Sequence, residues 1–209
     1  MKNVIHPRLR ERGMSYFEYS DLVHSLMEKG RTTGADQSAD ILKYARQNVR
    51  RMEEVFSAVE ILPEVSAIIQ QISIPQTWYV LTEGWCGDAA QILPVIHSMS
   101  EANEAIEIMI LLRDENLSLM DLYLQDGKRS IPKLIAVDKR SSMELFSWGP
   151  RPVDLQILLD DWVRRQLSFD EMNTYLHAWY DEDKTMNTQR EIVELLETSI
   201  VKDWTTCSQ

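Results

Sequence analysis

At Pro75 the spacing of apolar residues along this chain changes from helical to extended, and that change constrains the fold more than any other feature. Thr77-Trp-Tyr-Val-Leu-Thr82 is a run of β-branched and aromatic residues between Pro75 and Gly84, the pattern of a buried strand. Gly84 to Gly87 then turns the chain into a helix that runs to about Ser100. Ile106 to Leu112 reads as a second apolar strand, and Asp114 is placed to cap a helix over ENLSLMDLYLQ that Gly127 ends. Two short strands, Lys133 to Val137 and Met143 to Trp148, flank the charged turn DKRSS. Gly149-Pro-Arg-Pro leads from the second of them into a helix over VDLQILLDDWVRRQL. The order is βαβα followed by ββα.

On either side of this unit the spacing is helical. Ser15-Tyr-Phe-Glu18 is a capping box, after which Tyr16, Tyr19, Leu22, Val23, Leu26 and Met27 recur at helical intervals until Gly30. Beyond the polar loop RTTGADQS, apolar residues from Ile41 to Val59 mark a longer amphipathic helix. Pro63 opens a shorter one carrying Val65, Ile68, Ile69 and Ile72. Toward the other end, Ser168-Phe-Asp-Glu171 and Thr188-Gln-Arg-Glu191 are two further capping-box patterns. These helices are individually too short to bury their apolar faces alone. The expectation is one unit: a helical extension over 1–74 packed on a core over 75–167, with a second helical extension over 168–209.

Composition narrows the partners. Hydrophobic residues make up 44% and charged residues 26%, as in an ordinary soluble globular protein, and the formal net charge is -11. Such a field repels nucleic acid and anionic lipid, so neither is an expected partner. The start, MKNVIHPRLRERGMSY, has no apolar core of a signal peptide, and no uncharged run is long enough to span a bilayer. A cytoplasmic location is the expectation. The two cysteines, Cys86 and Cys207, lie far apart in sequence, and a structural disulfide between them is not expected in a reducing compartment. Four histidines, at 6, 24, 97 and 177, are scattered without ligand spacing. Neither a metal nor another cofactor is expected.

The turn after the first strand reads Trp85-Cys86-Gly87-Asp88-Ala89, with no second cysteine in the next helical turn. A βαβα-ββα unit with a cysteine at this turn resembles the thioredoxin superfamily. Pro94 stands where that family carries a kinking proline, Ser130-Ile131-Pro132-Lys133-Leu134 has the form of its cis-proline loop, and Gly149 matches the glycine near the end of its last strand. The resemblance covers roughly residues 75–167. It is nearest to cytoplasmic thioredoxin-like proteins with a helical N-terminal extension and a CxxA motif. It implies an α/β thioredoxin-like fold, a four-stranded mixed sheet flanked by helices, with added N- and C-terminal helices. Two departures bear on mechanism. Ala89 replaces the resolving cysteine, and Val80 stands where the family buries an acidic residue, so a dithiol cycle is excluded unless Cys207 swings in.

Under this resemblance Cys86 is the catalytic candidate. At a helix N-terminus its pKa is expected to fall from about 8.5 toward about 7 or below. Asp88 either opposes that shift by like-charge repulsion or caps the first turn. Trp85 either forms an apolar shoulder beside the thiol or packs as an ordinary hydrophobe, and Gly87 completes the motif. Ser130, Ile131, Pro132 and Gly149 are the substrate-binding candidates: a cis Ile131-Pro132 bond is expected to expose the backbone of Ile131 to an extended peptide. Arg113, Lys133 and Arg151 lie near the site by analogy of fold. Cys207 reads as an unconstrained terminal thiol or, in a sharper reading, as a resolving one.

Two functions compete. In the first, a possible thiol-disulfide oxidoreductase, Cys86 attacks a protein disulfide or the disulfide of a small thiol, and glutathione or another small thiol releases the mixed disulfide. In the second, the groove at Trp85, Ile131 and Gly149 holds a segment of a protein partner and the redox motif is degenerate. A peroxidase pattern is not met, since Glu83 stands where threonine is required.

Overall fold

The computed structural model of the chain describes residues 7–206, with side-chain surroundings from 9 to 199. Its centre is β1 (Gln76–Thr82), every residue of which is buried. β1 pairs in parallel with β2 (Ile106–Leu112) and antiparallel with β3 (Lys133–Asp138), which pairs antiparallel with β4 (Glu144–Trp148). The sheet order is β2-β1-β3-β4, a mixed four-stranded sheet. The thioredoxin-like α/β expectation holds. A strand bonded on both sides and covered on both faces is mostly apolar, and Trp78, Val80 and Leu81 have no exposed surface.

The first three helices are α1 (Tyr16–Glu28), α2 (Ala39–Ala58) and α3 (Pro63–Ile69). Ser15 caps α1 reciprocally with Glu18, and Pro63 opens α3, as their sequences imply. α4 (Gly87–Glu101) follows β1 and is buried almost all round, because α2 and the later helix α8 (Met186–Thr206) pack against it as well as β2. Ile92, Leu93, Val95 and Ile96 on α4 are fully buried, each contributing about 1.5–3 kcal/mol. Tyr16 of α1 stacks on His97 of α4 at 4.5 Å between ring centroids and on Phe56 of α2 at 5.4 Å, tying the three helices together.

Two sequence expectations fail. The helix over ENLSLMDLYLQ shrinks to a 3-10 turn, Arg113–Glu115, and the single turn α5 (Leu117–Met120). Asp114 does not cap it; its carboxylate binds the Arg113 guanidinium. Leu119, Met120 and Tyr123 are buried in the core, whereas Leu122 and Leu124 are 55% and 44% exposed. The chain instead reverses at Gln125–Lys128, with Asp126 and Gly127 both at positive φ. The Thr188 capping box is also absent. Thr188 lies inside α8 and is 1% exposed, while Glu191 reaches across to accept from Trp148 Nε1 and from the backbone N–H of Val153, both at 2.7 Å. That second bond satisfies a free N–H at the start of α6 (Val153–Arg164). α6 ends three residues short of the expected Leu167, at a left-handed Gln166. α7 (Phe169–Asp183) begins with the expected Ser168–Glu171 capping box. No helix among the described residues is long and apolar enough to cross a membrane.

Candidate functional site

Cys86 is the N-cap residue of α4, with extended backbone at φ -82 and ψ 115. Its amide is bonded to Glu83 O and its carbonyl accepts from Ala90, which fixes the sulfur at the end of the helix axis. Sγ donates to Ile131 O at 3.3 Å, and the residue is 8% exposed. Burial, followed by the nearby Asp88 carboxylate, pushes the Cys86 thiol up to about 12. The Ala89 and Asp88 amides and the Arg151 guanidinium pull the other way without prevailing. In the folded chain burial therefore outweighs the expected activation by the helix N-terminus.

Asp88 neither caps the first turn of α4 nor stands alone. It is 6% exposed and both of its oxygens are taken from distant parts of the chain. Oδ1 accepts from Tyr180 of α7 at 2.8 Å, and Oδ2 accepts from Arg151 Nη2 at 2.6 Å and Nε at 3.2 Å. Arg151 Nη1 in turn donates to Gln156 of α6. Burial, and then the Asp88 charge, push the Tyr180 hydroxyl well above its ordinary value, so it stays a hydrogen-bond donor. This buried network pins α7 to the start of α4.

With α7 so placed, Cys86 forms part of the wall of a cleft of about 470 Å³ that α2 and α7 enclose with the motif turn and the cis-proline loop. Ile41, Leu159, Phe169, Met172 and Leu176 supply apolar walls. Tyr44 of α2 meets α7 across the cleft: its ring lies 5.3 Å from that of Phe169, and its hydroxyl donates to Asp170 at 3.1 Å. His177 of α7 also lines the cleft, with Nδ1 buried and without a partner among the described residues. Burial, then the neighbouring Arg51 charge, lower its pKa to about 4, so the ring is neutral at physiological pH.

Of the candidates read from the sequence, Trp85, Cys86, Gly87, Asp88, Ser130 and Ile131 all line this cleft. The Ile131-Pro132 bond is cis, as is Gly149-Pro150, which the sequence reading did not foresee. The Ile131 backbone is not free for an extended peptide, because its carbonyl takes the Cys86 thiol and the residue is 6% exposed. Gly149 does not line the cleft. At φ +108 it lets the chain pass so close to Pro132 that a Cβ would stand 2.4 Å from Pro132 O. Trp85 is half-buried and lies under the Arg113 guanidinium, 4.8 Å from its ring centroid. Lys133 turns away to donate to Gly149 O. Val80 is fully buried where the family has an acid, yet Glu83 at the end of the strand is equally buried. Burial pushes its carboxyl up, although the Asp114 N–H donates to it at 2.9 Å. Cys207 lies outside the described residues. No group of three metal-ligating side chains occurs among those described.

Tyr44, Phe169, His177 and Tyr180 were missed in the sequence because each acts across a long stretch of chain. Aromatic content in the C-terminal helix was visible, but nothing local aims it at Cys86.

No curated protein matches the chain. Among solved structures, a protein of unknown function from Pseudomonas aeruginosa superposes with a TM-score of 0.54 at 17% identity, covering 89% of this chain and 99% of the other. An HIV epitope-scaffold gives 0.51 at 16%, covering 88% and 99%. At such identities these likenesses concern the fold alone. The family model described as Thioredoxin matches residues 34–163. That match begins well before Pro75 and takes in α2 and α3 together with the motif turn, the cis-proline loop and β4. Since it spans more than half of the sequence, the chain belongs to the thioredoxin family.

Proposed function

We propose that this protein carries out thiol–disulfide exchange through the single cysteine Cys86 on a small molecule that enters the cleft. The observation that carries this reading is the position of Sγ, at the N-terminus of α4 and on the wall of a cavity sized for a small ligand. α2 and α7 cover the face to which a protein segment would otherwise dock. In the exchange, the Cys86 thiolate attacks one sulfur of a disulfide RSSR, a new S–S bond forms and RS⁻ leaves, taking up the proton that Cys86 lost. A different thiol R′SH then attacks the mixed disulfide as its thiolate, releasing the unsymmetrical disulfide RSSR′ and regenerating Cys86, which takes up the proton that R′SH lost. Ala89 leaves no neighbouring thiol for this step, so an external thiol must perform it.

The raised thiol pKa favours a second reading, a thioredoxin-fold binding protein whose redox motif is degenerate. Intact-mass analysis of a Cys207→Ser protein incubated with 2-hydroxyethyl disulfide separates the two. Exchange predicts a single adduct on Cys86 that a small thiol removes, and none in the Cys86→Ser, Cys207→Ser protein. Absence of any adduct in the folded protein, with rapid reaction after urea unfolding, gives the answer to the binding reading.

A further inference from the structure

We infer that the cleft over Cys86 selects an uncharged, mainly apolar small molecule and rejects anionic ones, including anionic thiols. The inference deepens the exchange reading and rests on its placement of the substrate in the cleft, though not on the thiol's reacting there. Three arginines line the cavity, and on sequence alone they would promise an anion site. Each is already neutralised. Arg151 is held by buried Asp88. Arg113 places Nε and Nη2 on Asp114 Oδ1 at 2.9 and 2.7 Å and stacks on Trp85. Arg129 grips Asp121 with two bonds at 2.7 and 3.0 Å.

A carboxylate or sulfonate entering the cleft would have to compete with buried Asp88 for Arg151 or stay desolvated and unpaired, both costly, and the exposed Arg129–Asp121 pair is the one it could open most cheaply. The other polar groups in the lining, Gln47, Asn48, Ser130, Asn173 and neutral His177, offer hydrogen bonds without charge. The chain's net charge of -11 repels anions at longer range as well. Arg51, beside His177, is not part of the lining, and what the walls themselves offer is apolar surface, from Ile41, Leu159, Phe169, Met172 and Leu176. The cavity volume suits one such molecule.

Two fluorescent probes with one ring system test this: neutral N-phenyl-1-naphthylamine and its sulfonate, 1-anilinonaphthalene-8-sulfonate. Titrated into the full-length protein and into Cys86→Ser, the neutral probe should bind saturably and about tenfold or more tighter than the sulfonate. Phe169 is 62% exposed at the start of α7, where an acidic residue suits a helix, so Phe169→Asp keeps the fold. It should weaken the neutral probe about tenfold. Asp121→Asn, on the surface, frees Arg129 and should raise sulfonate affinity several-fold while leaving the neutral probe unchanged. Sulfonate binding equal to or tighter than neutral binding overturns the inference, as does a neutral probe that fails to saturate or ignores Phe169→Asp. Neutral binding without any disulfide adduct would overturn the exchange reading alone. An adduct formed as fast from an anionic aromatic disulfide as from a neutral one would overturn this inference alone.

Discussion

Replacing Arg151 by Met tests the buried network that holds α7 over the cysteine. Arg151 and Asp88 have side chains only 16% and 8% exposed, and the 2.6 Å contact between them lies beneath α7. Removing the cation leaves a carboxylate with the Tyr180 hydroxyl as its main partner. Breaking one side of a buried pair costs about 3–5 kcal/mol. For a chain of this length, where each kcal/mol moves the midpoint by roughly 2–4 °C, the melting temperature should fall by roughly 6–20 °C. Asp88→Asn/Arg151→Met leaves no unpaired charge and keeps a carbonyl to accept from Tyr180, so it should recover more than half of that loss. Urea unfolding followed by circular dichroism on the wild type, both single variants and the double variant gives the coupling energy directly. The thiol supplies a second readout. The Arg151 charge lowers the Cys86 pKa and the Asp88 charge raises it, so alkylation should slow in Arg151→Met and quicken in Asp88→Asn. A loss below about 1 kcal/mol in Arg151→Met, the value of a solvent-exposed pair, would refute the reasoning.

Three further outcomes are expected. Iodoacetamide labelling of Cys86 in a Cys207→Ser background should climb steadily with pH and show no plateau below about pH 11; a plateau near pH 7 would mean an activated thiolate. Because this folded pKa is raised, the thiol's contribution to stability is complete below about pH 8.5 and is lost as pH rises from there toward about 12. His177 has the opposite sign: its depressed folded pKa of about 4 means that its contribution is present above about pH 6.5 and is lost as pH falls through 4. His177→Gln should therefore flatten the acid side of the stability profile over that window, as read from denaturant midpoints. Gly149→Ala places a methyl group 2.4 Å from Pro132 O at a left-handed φ, and should destabilise by about 1–3 kcal/mol or more; an unchanged midpoint would contradict the close approach.

Much of the fold could be read along the chain because its signals are local. The run from Thr77 to Thr82 has to be a covered strand, and Ser15 and Ser168 cap helices with the glutamates three residues on. The errors came where a local pattern was satisfied and the surroundings decided otherwise. Thr188 and Glu191 have capping-box spacing, but Glu191 is drawn to Trp148 and Val153, and α8 already begins at Met186. Leu117 to Leu124 has the spacing of a helix, but only Leu119, Met120 and Tyr123 reach the core, and Leu122 and Leu124 stay exposed. The site was half legible. The motif turn and Ile131 were found because the family signature is contiguous in sequence. Asp88 was read as a charge opposing the thiolate or as a cap of the first turn, because its partners, Arg151 and Tyr180, come from the approach to α6 and from α7. The direction of the Cys86 shift was lost for the same reason: a helix N-terminus is visible in sequence, whereas the burial that outweighs it comes from α2 and α7.

The enclosure and the missing second cysteine bear on each other. An internal resolving thiol frees a thioredoxin-fold protein from the product of its first step whatever the size of the substrate. On the exchange reading, with Ala89 in that position, release would depend on an outside thiol reaching the mixed disulfide in line with its S–S bond. A folded protein bound over Cys86 would block that approach, and α2 and α7 already occupy the ground on which it would stand. A molecule small enough to lie within about 470 Å³ leaves an outside thiol of similar size the same cleft to enter by. The helices that raise the thiol pKa thus also limit what can reach the sulfur. On the exchange reading, Tyr44 and Phe169, which meet between α2 and α7, stand in the path of a reagent approaching Cys86. A Tyr44→Ala variant, which removes both the ring contact and the bond to Asp170, should therefore label faster with iodoacetamide at constant pH. If its rate equals that of the wild type, Cys86 is limited by its own environment and not by the two helices above it.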